Sequence, residues 1–288
     1  MEWLKQMQAA IDYMERHMAE RITIDDIARA ACSSPFHFQR MFHMLTGVTV
    51  SEYIRRRRLT LAAQELAGSG GKVLDVALKY GYDSPESFAK AFRKLHGIAP
   101  SQARAEGVKL KAYPRIAFQI MLKGDKEMDY QIVEKPGFTA AGIVLETSLE
   151  DGRNTREIPK FWADSHQSGE LARVTSLLGE EPMYGIIYDM DIVHDTFKYM
   201  IGGRFDGDQV PEGLTAVQIP PARWAVFTSV GPMPGAIQSL FVRIFQEWFP
   251  ATGYEHADAP ELEVYLPGDP GSEDYRCEIW IPIVKKDA

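Results

Sequence analysis

The sequence predicts a multidomain protein: an all-α N-terminal domain with two helix-turn-helix units joined by a helix, then an α+β C-terminal domain built as a pseudo-twofold duplicated strand-helix-strand unit. Three observations predict this fold. A serine, a proline and two phenylalanines occur with the same spacing twice in the N-terminal part, starting at Ser34 and Ser84. After Met128 the helical spacing of apolar residues gives way to strand-like segments separated by proline and glycine. In this later part a strand, a proline turn and a second strand also occur twice.

Composition sets the class of protein. The 288 residues are 45% hydrophobic, which is enough for two globular domains. No apolar run approaches the roughly 20 residues that span a bilayer, and no export signal is recognisable at the start. We therefore expect a cytoplasmic protein that does not contact a membrane. Cys32 and Cys277 are the only cysteines, and they predict neither a disulfide framework nor a zinc site. Neither a metal nor another cofactor is expected.

The net charge of -8 is unevenly distributed. Residues 1–107 carry 15 Lys and Arg against 12 Asp and Glu, whereas residues 108–288 carry 17 against 28. A slightly basic part followed by an acidic part suits a DNA-contacting domain joined to a domain with another task. With the change in secondary-structure pattern, this predicts domains at 1–107 and 128–288, joined by a linker or short hairpin at 108–127.

The N-terminal repeat has the pattern Ser-Pro-x-x-Phe-x-x-x-Phe, at 34–42 and again at 84–92. Serine is a preferred N-cap and proline a preferred first helical residue. The two phenylalanines, four residues apart, face the core, and Gly47 or Gly97 ends the helix. Each copy follows a shorter helical pattern, so each predicts a helix, a tight turn and a second helix.

The outward faces of these second helices carry side chains that can read DNA. They are Phe36, Gln39, Arg40 and His43 in the first copy and Glu86, Ser87, Lys90 and Lys94 in the second. Gln and Arg can bond adenine and guanine edges, and Phe can contact the thymine methyl. One such face alone is usually just solvated. Two capped helices of the same design, on a connecting helix that can space them about 34 Å apart, favour DNA recognition.

The connecting helix contains four consecutive arginines, at 55–58. At 3.6 residues per turn they fan out over roughly 300°, so they cannot all face DNA. We expect one or two of them, Arg55 and Arg57, to bind phosphate and another to pair with an acidic neighbour.

These motifs identify the resemblance of residues 11–104 to the AraC/XylS-type DNA-binding domain. The resemblance implies that Phe36, Gln39 and Arg40 contact base edges and that Ser87 and Lys90 contact a second groove segment. It also implies double-stranded promoter DNA and RNA polymerase as partners, with activation of transcription expected. Glu86, with the proline before it, departs from the polar donors common in the family, so we expect less specificity from the second helix.

The C-terminal part predicts eight strands and two helices. The strands are at 129–134, 139–146, 183–190, 197–203, 214–219, 223–230, 261–266 and 276–284, and the helices are at 156–169, with an extension to 178, and 234–249. Residues 131–141 are echoed by 216–226, which predicts two similar units that enclose a cleft.

We expect this cleft to bind a small-molecule effector. The expected lining residues are Phe161, Trp162, Tyr184, Tyr188, Trp248, Tyr265, Tyr275 and Trp280, with the acidic Glu263 and Glu278. Aromatic walls around a carboxylate suit a lipophilic cation. The alternative from the same pattern is that the aromatic residues form the core and that the strand glutamates face water or an ion pair.

Residues 128–284 also resemble the GyrI-like effector-binding domain of multidrug-sensing regulators. The resemblance lies in the segments 260–267 and 275–283. It implies that Glu263 lies at the pocket base and that Tyr275 lines the pocket. We expect a regulator and not an enzyme. Two alternatives remain: a protein-contact module that binds no ligand, and a hydrolase of small electrophiles that uses Tyr275, Glu263 and Glu278.

Overall fold

The computed structural model describes residues 2–69, 71–105, 107–117, 127–179, 181–191, 195–207 and 209–286. Residues 118–126, within the linker or short hairpin predicted at 108–127, lie outside these residues. The described residues form two compact units, one from Met1–Phe38 and Val50–Lys123 and the other from Gln39–Thr49 and Gly124–Ala288. In the described part of the chain, no helix combines the length and the apolar character needed to cross a membrane.

The N-terminal part is helical, as predicted. Its helices are α1 (Glu2–Arg16), α2 (Ile24–Ala30), α3 (Pro35–Thr46), α4 (Val50–Ser69), α5 (Val73–Lys79) and α6 (Pro85–His96), followed by a short 3₁₀ helix (Pro100–Arg104). Leu59 and Leu66 of α4 pack against Phe88 and Phe92 of α6, and all four are buried. The phenylalanines that the repeat predicts to face inward therefore do so.

The two helix-turn-helix units share the same turn. In the first, the Ser33 amide donates to the Ala28 carbonyl at 3.1 Å, and in the second the Tyr82 amide donates to the Ala77 carbonyl at 3.0 Å. The turns place Cys32 and Gly81 at positive φ, 48° and 80° respectively. The duplication read from the sequence is therefore a duplication of backbone structure.

The C-terminal part is built on one antiparallel sheet. Its strands are β1 (Tyr130–Lys135), β2 (Phe138–Ser148), β3 (Met183–Asp191), β4 (Thr196–Arg204), β5 (Thr215–Ile219), β6 (Ala222–Val230), β7 (Tyr254–His256), β8 (Glu261–Tyr265) and β9 (Arg276–Lys285). The order is β1-β6-β9-β8-β3-β4-β2-β5, and β7 pairs with β9. Exchanging β1 with β5, β2 with β6, β3 with β8 and β4 with β9 reverses this order and preserves every pairing within it, whereas β7 has no counterpart among the described strands. The predicted pseudo-twofold duplication is confirmed.

Helices contribute to one face of this sheet. They are α7 (Arg153–Ser168), α8 (Glu170–Leu178) and α9 (Gly235–Arg243), which continues through a π-helical segment (Ile244–Trp248) into a last turn (Phe249–Ala251). Val174 of α8 is buried against Tyr199 and Ile201 of β4. Met200, between them, belongs to an apolar cluster on the opposite face, as strand alternation requires.

Apart from shifts of a few residues at the ends of elements, the main differences from the sequence-based prediction are a divided helix and an additional strand. The predicted helix with an extension is two helices, because Gly169, with φ of 82°, separates α7 from α8. Strand β7 was not predicted, since three residues are too few for a periodic signal.

Candidate functional site

The second helix-turn-helix unit presents the surface that the sequence predicts. The Ser84 hydroxyl caps α6 by accepting from the Ser87 amide at 3.1 Å, with Pro85 at the first position. Gly97, with φ of 78°, ends the helix. The predicted contact residues Glu86, Ser87, Lys90 and Lys94 are all exposed.

The predicted reading face of α3 is less accessible. Phe36, Gln39 and His43 are partly exposed, whereas Arg40 is only 5% exposed. Arg40 donates from Nη2 to the carboxylate of Glu261 on β8, with the shortest N–O distance 2.6 Å. In this conformation the guanidinium expected to contact a base edge is bound inside the protein.

As expected, the arginines of α4 include exposed and ion-paired side chains. The ion-paired ones include Arg57, which was expected to bind phosphate. Arg57 donates from Nη2 to Glu15 of α1 at 2.7 Å and from Nη1 to the Tyr113 carbonyl at 2.7 Å. In this conformation the Arg57 side chain is bonded to α1 and to the segment after α6, and phosphate binding by Arg57 stays a prediction. Arg55 is 45% exposed, with Glu52 at 3.9 Å, and is placed to meet solvent.

A cavity of about 740 Å³ lies within the unit formed by Gln39–Thr49 and the sheet-containing part. Its apolar lining includes Ile158, Trp162, Ile187, Phe197, Ile237 and Phe241. Its polar lining includes Arg40, His43, Asn154, Glu263, Tyr265 and Tyr275. A mainly apolar wall with a few polar groups is the usual composition of a small-molecule site.

Glu263, on β8, is the acidic group of this cavity and is 8% exposed. Its Oε2 accepts from the hydroxyls of Tyr199 at 2.5 Å and Tyr265 at 2.8 Å. The Trp162 indole in turn donates to the Tyr199 hydroxyl at 3.0 Å. Gly185 lies opposite Glu263 on β3, and a Cβ there would overlap both the Tyr199 hydroxyl and Glu263 Oε2. Glycine therefore makes room for this network.

Burial raises the pKa of Glu263 to about 7, and the neighbouring Glu261 adds to the increase. The two tyrosine hydroxyls act in the opposite direction, because they bond the ionised form. Near neutral pH this carboxyl is therefore divided between its neutral and ionised forms. A bound cation would favour the ionised form.

Four of the ten side chains predicted to line the cleft do so: Trp162, Glu263, Tyr265 and Tyr275. Strand register explains why four others do not. On β3, Tyr184 pairs with Val264, and on β9, Trp280 pairs with Leu262. Paired residues share a sheet face, so Tyr184, Tyr188, Glu278 and Trp280 lie on the face opposite the cavity. The prediction that these four line the cavity is wrong.

The last two predicted side chains belong to apolar packing. Phe161 packs with the cluster of Phe197, Tyr199 and Val174, as Trp162 also does, but only Trp162 lines the cavity as well. Trp248 is buried against Phe227, with ring centroids 5.1 Å apart. Neither lines the cavity, and for both the core interpretation is the correct one.

Three residues of the candidate site were not assigned to it from the sequence. Tyr199 and Asn154 were not singled out, and His43 was assigned only to DNA although it also lines the cavity. One signal was available: Gly185 lies inside a strand, where glycine marks a close approach of other groups.

Two known protein families match this chain, one in its C-terminal part and one in its N-terminal part. The family described as "Integron-associated effector binding protein" matches residues 131–283, and the "Helix-turn-helix domain" family matches residues 27–106. The first match alone spans more than half of the chain.

Curated relatives extend this result. The HTH-type transcriptional activator AarP of Providencia stuartii is 44% identical over 92 residues, which is 32% of this chain and 68% of AarP. The transcriptional regulator Rob of Salmonella typhimurium is 24% identical over 291 residues, covering 94% of this chain and 95% of Rob. Rob is therefore similar along nearly the whole length.

A solved structure shares the fold of the C-terminal part. SAV2435, solved bound to tetraphenylphosphonium, has a TM-score of 0.50 and 23% identity, and the match covers 55% of this chain and 94% of SAV2435. Taken with the two family matches and the AarP relative, the chain belongs to the AraC family of DNA-binding transcriptional regulators and carries a C-terminal domain of the integron-associated effector-binding family.

Proposed function

We propose that this protein is a transcriptional activator that reads promoter DNA with α3 and α6 and responds to a lipophilic cation bound beside Glu263. The observation that carries the effector proposal is a buried carboxyl, with a pKa raised to about 7, inside an apolar cavity. Among the described residues, its hydrogen-bond partners are neutral hydroxyls rather than a cationic side chain. A cationic ligand would supply the missing charge.

The walls of the cavity suit a cation with apolar substituents. Trp162 and Tyr265 stand beside Glu263, with ring centroids 4.8 Å apart. Aromatic faces attract cations, and the attraction grows when water is excluded. SAV2435, which shares the fold, was solved with tetraphenylphosphonium, and that ion has this combination of charge and apolar surface. The similarity supports the proposed ligand class.

Helices α6 and α3 each contact a different groove segment of the DNA. Ser87 and Lys90 on the exposed face of α6 contact one groove segment, while Phe36, Gln39 and Arg40 of α3 read base edges in another. Promoter-bound activators act on RNA polymerase, which we infer as a protein partner. This function requires the protein to act in the cytoplasm, where promoter DNA lies.

The two alternatives fare differently. The hydrolase interpretation needed Tyr275, Glu263 and Glu278 together, yet Glu278 lies on the opposite sheet face from Glu263, so this constellation is not assembled. A protein-contact module that binds no ligand predicts that no small molecule stabilises the protein. The experiment below separates it from the proposal.

The test uses the full chain with tetraphenylphosphonium as the probe and neutral triphenylphosphine oxide as its comparison. Thermal shift and tryptophan fluorescence report binding. The Trp162→Phe variant shows which part of the fluorescence change comes from the tryptophan that lines the cavity. We expect saturable binding of the cation, at least tenfold weaker in Glu263→Gln, with little binding of the neutral compound. A folded protein that responds to neither compound would favour the protein-contact module.

The DNA arm is independent of the ligand. Operator sequences are selected from a random duplex pool by the full chain, and affinities are measured by fluorescence anisotropy. Glu263→Gln is expected to bind the selected operator like the unmodified protein, whereas Lys90→Ala is expected to bind more weakly. Failure to enrich any sequence would contradict sequence-specific reading.

A further inference from the structure

Three buried polar atoms on the cavity wall have no hydrogen-bond partner among the described residues. They are His43 Nδ1, Asn154 Oδ1 and Arg40 Nε. Polar groups removed from water are nearly always bonded in native proteins. Because these residues line one cavity, the cavity's ligand is the natural partner of the two acceptors, His43 Nδ1 and Asn154 Oδ1. These two atoms then describe the donors that the ligand offers.

His43 presents an acceptor. Burial, followed by the charge of Arg40, lowers the pKa of His43 to about 4, so the ring is neutral near pH 7. The Val48 carbonyl accepts a hydrogen bond from this ring, and Nδ1 has no partner. The proton therefore sits on Nε2, and Nδ1 carries the lone pair. A ligand N–H or O–H can donate to it.

Asn154, in the first turn of α7, adds a second acceptor through its side-chain carbonyl oxygen. Arg40 Nε is a donor, but the charge of its guanidinium is already compensated by Glu261. The uncompensated charge of the cavity, when ionised, is that of Glu263. Among the described residues, the wall thus combines the Glu263 carboxyl and these two unpartnered acceptors with aromatic surface.

We propose that the ligand of this cavity is a protonated primary or secondary amine on an apolar scaffold, whose N–H groups donate to His43 Nδ1 and Asn154 Oδ1. This inference rests on the proposed function, because it refines the class of cation that binds beside Glu263. A quaternary ammonium or phosphonium ion meets the charge of Glu263 and fills the aromatic walls. Having no N–H, it leaves both acceptors unpaired.

The test compares two cations on one scaffold: 3,3-diphenylpropylammonium and its N,N,N-trimethyl derivative. Dissociation constants for the full chain are measured by calorimetry at pH 7.5. The two cations differ in hydration as well as in N–H groups, so the decisive quantity is how their affinity ratio changes between variants. Hydration of the free ligand cancels in that comparison.

His43→Phe and Asn154→Leu remove one acceptor each. We expect either substitution to weaken the ammonium about fivefold to tenfold and to change the trimethyl compound less than twofold. Gln238→Leu is the matched control, because Gln238 lines the same cavity on α9 with an exposed side chain; it should leave the ratio unchanged. If His43→Phe does not fold, Asn154→Leu, on a different helix, still decides.

The outcomes separate this inference from the proposed function. Binding of both cations that depends on Glu263, with a ratio unchanged by His43→Phe and Asn154→Leu, overturns the amine proposal and leaves the cation site standing. Binding of neither cation overturns the proposed function itself. A ratio that falls in both variants and is kept in Gln238→Leu supports the two acceptors as the determinants of ligand class.

Discussion

The guanidinium of Arg40 lies 2.6 Å from the carboxylate of Glu261, and the side chains are only 6% and 2% exposed. His256 Nε2 lies 2.9 Å from the same carboxylate, and the ring of Phe245 lies 5.2 Å from the guanidinium carbon. Burial alone would raise the pKa of Glu261, but the charge of Arg40 and the bond to His256 hold that pKa below its usual value. The pair is therefore ionised, and the arginine predicted to read a base is engaged elsewhere.

Replacing Glu261 with glutamine is expected to raise the affinity for operator DNA. Removing one partner leaves Arg40 as an uncompensated buried charge, which costs about 3–5 kcal/mol and favours conformations in which the guanidinium is exposed. We expect about tenfold tighter binding, equivalent to 1.4 kcal/mol, in anisotropy titrations with the selected operator.

The control for this prediction is Glu134→Gln, which removes an exposed ion pair with Arg223 and should leave DNA affinity unchanged. Arg40→Ala alone should weaken operator binding by about 1–3 kcal/mol and relax one base position. In that background Glu261→Gln should have no further effect. Unchanged or weaker binding by Glu261→Gln in the native background would show that this pair does not compete with DNA.

Local signals in the sequence are sufficient for most of the fold. Ser84 and Pro85 start α6, glycine ends it, and strand alternation identifies eight of the nine strands in the described part of the chain, because each of these features acts within a few residues. The pseudo-twofold sheet follows from the internal repeat. Its β7, with three residues, lies below the length at which alternation is informative.

The site was harder to predict because it depends on register and on long-range pairs. Whether Tyr184 or Ile187 faces the cavity is decided by which β3 residue meets β8, and a shift by one residue exchanges the two faces. Arg57 and Arg40 look alike in sequence, yet their acidic partners, Glu15 and Glu261, lie 42 and 221 residues away. Local spacing in the sequence therefore cannot predict such pairs.

Arg57 and Arg55 are expected to have opposite phenotypes. Arg57→Ala breaks bonds to Glu15 and to the Tyr113 carbonyl, and should lower the free energy of unfolding by about 1.5–3 kcal/mol. Arg55→Ala removes an exposed cation and should leave stability within about 0.5 kcal/mol. It should instead reduce by about one the slope of log affinity against log salt.

Urea unfolding and salt titrations of operator binding check these two variants side by side. Glu15→Gln should lower stability like Arg57→Ala, and the double variant should be less destabilised than the sum of the two, because the partners are in contact. If Arg57→Ala changed the slope of log affinity against log salt and left the free energy of unfolding unchanged, Arg57 would be a phosphate contact.

Cation binding in the cavity is expected to depend on pH through Glu263. Burial raises the pKa of this carboxyl to about 7, so a proton competes with a cationic ligand below that pH. Affinity for tetraphenylphosphonium should rise about tenfold between pH 6 and pH 8. The hydroxyls of Tyr199 and Tyr265 contact Glu263 and stay neutral in this range, because their pKa values are raised. Glu261, whose pKa is lowered, acts on Glu263 as a constant negative charge. His166 also lines the cavity, so the Glu263 variant is needed to assign the titration.

Glu263→Gln should remove this pH dependence while His43→Phe keeps it, because the pKa of His43 is lowered to about 4. Titrations at half-unit intervals measure the profile. A profile that is equally steep in Glu263→Gln would assign the titration to another group.

The same raised pKa predicts a change in stability without ligand. Between pH 4.5 and 7 the unfolded chain has lost the Glu263 proton and the folded chain retains it. The contribution of Glu263 to the free energy of unfolding is therefore fully present below pH 4.5. It is lost as pH rises through 7, by about 3 kcal/mol at most. The free energy of unfolding, measured in urea at each pH, is compared between the unmodified protein and Glu263→Gln. The difference between the two should show this decline and a plateau above pH 7.5. A difference that is flat with pH would mean that the carboxyl ionises normally in the folded protein.

Gly185→Ala tests whether the glycine makes room for the carboxyl network. The added Cβ overlaps the Tyr199 hydroxyl and Glu263 Oε2, and overpacking a rigid core costs about 1–3 kcal/mol. Gly253→Ala is the matched control, because its Cβ would meet nothing within 4 Å and stability should change little. Since the strain falls on Glu263 and its donors, Gly185→Ala should also weaken tetraphenylphosphonium binding, whereas Gly253→Ala should not. Equal melting temperatures for the two variants would mean that β3 and β8 shift apart easily, and that the network is not held by the close approach at Gly185.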